Sequence, residues 1–259
     1  ACVPPASRRF VRSRVRARER SVRTPRSGCR AAGAGIDCGV RTPRPLRLAV
    51  FASGNGTNFE ALATTAAREV LGGTLVALLC DVPGAPVLDR ARRHGIEALL
   101  PPVGRFRTRL EDERPWLALL RERRIDVVLL AGFMRRLHAT LLPPFAGRML
   151  NIHPSLLPAF PGLDAIGQAW RHGARVTGCT VHLVEDALDA GPILAQAAVE
   201  VRDGDTLAAL EERVHAAEHA LYPWAVRRFL TERWRLDGRR MCFGEGEGLV
   251  LPEAEAARG

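Results

Sequence analysis

Residues 46–52 form a short, mostly apolar run that stops at Ser53-Gly54-Asn55-Gly56-Thr57-Asn58, and beyond it Phe59, Leu62 and Ala63 open a helical period that runs to Val70. Apolar run, glycine turn and 3.6-residue period together predict a strand, a tight turn and a helix. Residues 74–80 repeat the strand pattern and end at Asp81 and Pro83-Gly84; a helix over 87–94 and a short strand over 96–100 follow. Residues 108–123 place charges opposite Leu110, Leu117 and Leu120, which predicts an amphipathic helix. Residues 125–131 are almost continuously apolar, the pattern of a central parallel strand covered on both faces. Residues 149–153 give one more strand, which leads into the densest motif of the chain.

Strands alternating with helices at this spacing predict an α/β fold with a doubly wound, mostly parallel sheet. The later part departs from that rhythm. Residues 177–184 and 193–201 are strand-like with only a loop between them. Residues 206–221 place Leu207, Leu210, Val214, Ala217 and Leu221 on one helical face. Pro223 lacks an N–H and predicts a break or kink before 224–234 continue the helix. Asp237-Gly238 predicts a hairpin between 234–236 and 239–243. The expected organisation is one domain over 46–243, a Gly/Glu-containing tail over 244–259, and a separate N-terminal segment over 1–45.

Composition changes this picture little, and charge changes it only once its location is known. With 259 residues and 47% apolar content the chain has material for a sizeable core. A net charge of +10 suggests a nucleic-acid partner at first sight. Residues 1–47, however, hold 13 Arg against Glu19 and Asp37, leaving 25 basic and 26 acidic residues in 48–259. The domain itself is close to neutral, so we expect no nucleic-acid partner for it. Every basic residue is Arg and none is Lys, a coding bias that empties the high isoelectric point of meaning. The segment 1–45 fits an Arg-rich transit peptide, a basic arm, or a disordered extension. The last is preferred, as is upstream sequence outside the protein proper, which a first residue other than Met fits. Six Cys show no Cys-x-x-Cys pair and no metal-ligand spacing, so no metal is expected, and Cys80 and Cys179 read as buried free thiols. No apolar run approaches the roughly 18 residues of a membrane helix, and no membrane partner is expected.

Three stretches carry chemistry. The Gly54-Asn55-Gly56-Thr57-Asn58 turn offers free backbone N–H groups at a helix N-terminus, where an anion such as a phosphate binds. The bland alternative is an ordinary turn with Thr57 or Asn58 as N-cap. Phe59 at the third glycine position spoils a dinucleotide fingerprint, although Asp81 lies roughly where a ribose-binding acid would stand. In Asn151-Ile152-His153-Pro154, residues two apart on a strand share a face, so Asn151 and His153 project together. An amide donor beside an imidazole suits acyl chemistry, against the alternative of a core His beside a capping Asn. The third stretch is Glu185-Asp186-Ala187-Leu188-Asp189-Ala190-Gly191-Pro192, an acidic turn closed by Gly-Pro. A carboxylate from it beside His153 would favour the charged ring and orient it. Asp189 is the first choice, with Asp186 and Glu185 left as alternatives.

Taken together, the stretches at 51–58, 130–135, 151–158, 188–192 and 218–223 resemble the phosphoribosylglycinamide formyltransferases, in colinear order over about 46–243. The resemblance implies a Rossmann-like formyltransferase fold and 10-formyltetrahydrofolate as co-substrate, with phosphoribosylglycinamide as acceptor in purine biosynthesis. It implies Gly56, Thr57 and Asn58 as the phosphate-binding loop, Asn151 and His153 as the catalytic pair, and Asp189 as the carboxylate that tunes the His. Met134, Arg135, Arg136 and Leu137, with Glu185, Asp186, Ala187 and Leu188, correspond to segments lining the folate pocket. Arg109 corresponds to an arginine associated with the folate, and Glu218 to the acid that contacts the glycinamide substrate.

The pattern departs at Leu163-Asp164-Ala165, where such enzymes often carry His after the Pro-Gly, and at Ala190, where a second glycine is common. The family also implies a cis bond before Pro158. Related enzymes remain as alternatives. A methionyl-tRNA formyltransferase would need a C-terminal RNA-binding domain, and 16 residues follow Phe243. A formyltetrahydrofolate hydrolase would need a folded N-terminal domain that 1–45 are unsuited to form. A nicotinamide-dependent oxidoreductase is the remote alternative. A cytoplasmic enzyme is expected, or an organellar one should 1–45 act as a transit peptide, and either a monomer or a homodimer fits.

Overall fold

The computed structural model describes residues 44–68 and 70–249; the expectations for 1–43 and 250–259 lie outside the described residues. Strand β1 (Arg47–Ala52) shows how the layers arise. Its alternate residues divide between two cores. Leu48, Val50 and Ala52 join Phe59, Leu62, Tyr222 and Phe229 on one face, while Ala49 and Phe51 join Trp116, Leu117 and Leu120 on the other. Period-two alternation in which both faces are apolar is what a strand covered on two sides requires.

The remaining elements are α1 (Thr57–Ala67), β2 (Thr74–Cys80), α2 (Pro86–Arg93), β3 (Glu97–Leu99), α3 (Arg114–Glu122), β4 (Val127–Leu130), β5 (Met149–His153), α4 (Ala165–Arg171), β6 (Val176–Leu183), β7 (Ile193–Glu200), α5 (Leu207–Thr231), β8 (Trp234–Asp237) and β9 (Arg240–Phe243). They form one nine-stranded sheet in the order β3-β2-β1-β4-β5-β6-β7-β9-β8. The run β3-β2-β1-β4-β5 pairs parallel throughout; β6 is antiparallel to both β5 and β7. The chain moves outward from β1 to β3 and then returns to β4 on the other side of β1. That reversal opens a crevice at the strand C-termini, between the loops that follow β1 and β4.

The structure departs from the sequence pattern in three places. The helix expected over 108–123 begins only at Arg114, with Pro115 in its first turn. Residues before it run as an extended strap: Arg136 N–H donates to the Thr108 carbonyl at 2.9 Å, and Leu110 is buried in its own right. Leu110 therefore mimics a helical position one heptad before Leu117. Pro223 does not interrupt α5, which runs unbroken for 25 residues. Tyr222, Ala225, Val226 and Phe229 are all fully buried against the sheet on either side of that proline, so packing outweighs the lost backbone bond. Helix α4 was not anticipated; it is short and follows Asp164 at φ 56.

Order also extends past Phe243, since Gly244 N–H donates to Arg233 carbonyl and Gly248 N–H to Trp234 carbonyl. Cys80 and Cys179 are buried free thiols. The peptide bond between Leu157 and Pro158 is cis. Among the described residues, no helix is long and apolar enough to cross a membrane.

Candidate active site

At one end of the crevice the chain turns from β1 into α1. Gly56 is the N-cap at φ 71, a left-handed conformation, and no side chain caps the helix there. A Cβ on Gly56 would stand 2.3 Å from Val87 Cγ2, so α2 packs where only a glycine leaves room. No side chain therefore satisfies the first N–H groups of α1, which a helix leaves without an intrahelical partner and which can receive an anion. Asn58 Nδ2 donates to Glu218 Oε2 at 3.2 Å, tying this turn to α5. Glu218 is buried, and its Oε2 also lies 2.8 Å from His215 Nδ1. That hydrogen bond holds the His215 proton to higher pH than usual. A hollow bordered by Thr57, Glu60, Thr64, Arg90 and His219 adjoins the loop on its outer side but touches neither Asn151 nor His153.

At the other end, β5 carries Asn151 and His153 and pairs antiparallel with β6, which sets Asn151 opposite His182. His182 escaped the sequence reading, although its position directly after Cys179-Thr180-Val181 in a strand and three before Glu185 of the acidic turn was the available signal. Its Nδ1 lies 2.8 Å from the Leu183 carbonyl and its Nε2 3.1 Å from Asn151 Nδ2. A carbonyl only accepts, so Nδ1 carries the hydrogen and Nε2 accepts from the Asn151 amide. Burial pushes the His182 pKa down, outweighing its bond to Leu183 and the nearby Asp189, and keeps the ring in this neutral form. Asn151 is thereby oriented with a second amide hydrogen available.

His153 is buried, with Nε2 2.9 Å from the Phe160 carbonyl and Nδ1 3.6 Å from Asp189 Oδ2. Asp189 Oδ1 stands 3.8 Å from His182 Nε2, and its Oδ2 accepts the Gly162 N–H at 2.8 Å. Of the three acids left open by sequence, Asp189 is the one brought to His153. The loop that delivers it doubles back tightly: a Cβ on Gly191 would lie 1.8 Å from the Leu183 carbonyl oxygen, an approach only glycine permits.

The segments after β4 and β6 face each other. Arg136 Nη2 donates to the Asp186 carbonyl at 3.3 Å, and Met134 and Leu188 are both more than half exposed. Ala187 is exposed as well, while Leu137 is buried among the α3 residues. Arg135 turns away from the crevice. Its Nε donates to Asp81 Oδ2 at 2.7 Å in a buried ion pair, which also removes Asp81 from any ribose-binding role. The Arg109 guanidinium lies 4.0 Å from the Phe106 ring centre. Arg239, in the β8–β9 turn, donates to the Ala190 carbonyl and comes within 4.0 Å of Glu185. Asp164 is exposed and pairs with Arg171 at 2.8 Å. Among the described residues no cluster of three or more His, Cys, Asp or Glu is arranged to hold a metal.

Residues 46–226 match the model of the formyl transferase family. The chain belongs to that family. It is 43% identical over 184 residues to the phosphoribosylglycinamide formyltransferase of Bacillus subtilis, covering 71% of this chain and 94% of the relative. It is 41% identical over 183 residues to the human trifunctional purine biosynthetic protein adenosine-3, spanning 71% of this chain but 18% of that larger protein. The crystal structure of glycinamide ribonucleotide transformylase 1 from Symbiobacterium toebii superposes with a TM-score of 0.73 at 42% identity, covering 77% of this chain and 94% of that one. The mostly parallel sheet with flanking helices is therefore the architecture of a formyl transferase, and the oxidoreductase alternative falls away.

Proposed function

We propose that this formyl transferase moves the formyl group of 10-formyltetrahydrofolate onto the amine of phosphoribosylglycinamide. The observation that carries the reading is the convergence of Asn151 and His153 from β5 with Asp189 from the loop after β6, at one end of a crevice whose other end is the Gly56 turn. Gly56, Thr57 and Asn58 hold the phosphate of the acceptor, and Glu218, positioned by Asn58 and His215, contacts its glycinamide part. The folate lies between residues 134–137 and 185–188. Exposed Met134 and Leu188 suit a flat ring, Arg135 and Leu137 contribute backbone rather than side chain, and Arg109 stands nearby. The folate supplies the formyl group.

In the transfer, the acceptor amine attacks the formyl carbon and a new C–N bond forms. Negative charge develops on the formyl oxygen, where Asn151 Nδ2–H and a ring N–H of His153 stabilise it. Nε2 of His153 is engaged by the Phe160 carbonyl at 2.9 Å, whereas Nδ1, 3.6 Å from Asp189 Oδ2, lies beyond hydrogen-bond distance and is the ring nitrogen left to face the formyl oxygen. The C–N bond to the folate then breaks, and the proton lost by the amine reaches the departing nitrogen through water or His153. Holding both reactants in one crevice supplies a further share of the rate.

The test supplies 10-formyltetrahydrofolate with and without phosphoribosylglycinamide, beside His153→Ala. Folate release should require the amine and fall by roughly 10²- to 10⁴-fold in the variant. Release without the amine would instead make the protein a hydrolase of the same co-substrate.

A further inference from the structure

Glu113 is a carboxylate buried for no purpose of its own helix. It stands at the N-cap of α3 with 6% of its surface exposed, yet its side chain makes no cap bond to α3. Instead Oε1 accepts the His138 N–H at 2.6 Å, and Oε2 accepts those of Thr140 at 3.1 Å and Leu141 at 3.0 Å. Three backbone donors from one loop thus converge on one buried anion, which offsets the cost of removing it from water. The loop is the one that follows β4, and its other end is held by a second buried carboxylate, Asp81, through Arg135. Met134 N–H donates to Ser53 Oγ at 2.9 Å, and Arg136 N–H to the Thr108 carbonyl. Residues 134–141 are therefore pinned from behind, with the exposed Met134 and the Arg136 side chain left to face the crevice.

We propose that Glu113 is a positioning residue for the formyl donor: its three hydrogen bonds set the backbone of 134–138 that the folate contacts. The inference rests on the reading of 134–137 as folate-lining. An amide cannot replace the carboxylate, because one of its two heavy atoms is a donor and would face N–H groups. Glu113→Gln should therefore raise the KM for 10-formyltetrahydrofolate by roughly tenfold or more, while the KM for the phosphoribosylglycinamide acceptor stays within about twofold. Amide hydrogen exchange at 138–141 should quicken with the rest of the sheet unchanged. Glu113→Asp, one methylene shorter but still charged, should recover part of the folate affinity, and it serves as the test should the Gln variant fail to fold. Unchanged exchange at 138–141, or a parallel rise in both KM values, would overturn the role of Glu113. Faster local exchange with an unchanged folate KM would overturn it too, and would trace the failure to the placement of the folate beside 134–137.

Discussion

The two ends of the crevice are built in opposite ways. The Gly56 end is a continuous hexapeptide in which the backbone does the work: a left-handed glycine, an uncapped helix start, and Val87 filling the space a side chain would take. The Asn151 end is made of side chains contributed by β5, β6 and the loop before β7, each useless without the others. An anion needs only partial positive charge at a helix end, which any tight turn into a helix supplies. Stabilising charge that develops during a reaction needs donors held at defined places, and that takes several elements bracing one another.

The contrast is broken most severely at the side-chain end. Asp189→Asn keeps the size of the group, and its oxygen still has the Gly162 N–H to accept, but the charge beside His153 is gone. Formyl transfer should fall about 10²- to 10⁴-fold with little change in melting temperature; a loss below about threefold would remove Asp189 from the mechanism. At the backbone end, Gly56→Ala adds a Cβ in a left-handed position and against Val87. Thermal unfolding should show a loss of roughly 2–4 kcal/mol, with the KM for the phosphorylated acceptor rising more than that for the folate. Equal changes in both would mean that the turn is structural only.

The smallest effect concerns His182. Burial holds its folded pKa below the ordinary 6.5. Below pH 6.5 the unfolded chain therefore binds a proton that the folded chain refuses, and stability falls with pH until the folded ring also protonates. His182→Gln should flatten this acid-side decline by at most about 1.4 kcal/mol per pH unit, read as the difference in melting temperature between pH 7.5 and 5.5. An unchanged slope would show that other groups set it.

Much of this molecule was legible in the linear chain. Apolar runs bounded by Gly, Asp and Pro located β1, β2, β4 and β5, because a strand covered on both faces must be apolar throughout. The turn at Gly56 was legible because its residues are adjacent in sequence. The helical period failed at 108–113, where a strap buries Leu110 without being a helix, and the proline rule failed at Pro223, where the sheet holds both halves of α5.

The chain by itself thus determined most of the strands and helices and the glycine turn that opens α1, since these follow from neighbouring residues and backbone geometry. Which acid reaches His153, that His182 orients Asn151, and that Arg135 pairs with Asp81 while Glu113 holds the other end of the same loop were decided only by the tertiary structure. Each of these joins residues far apart in sequence, and a contact that depends on strand order, register and burial leaves no periodic trace along the chain.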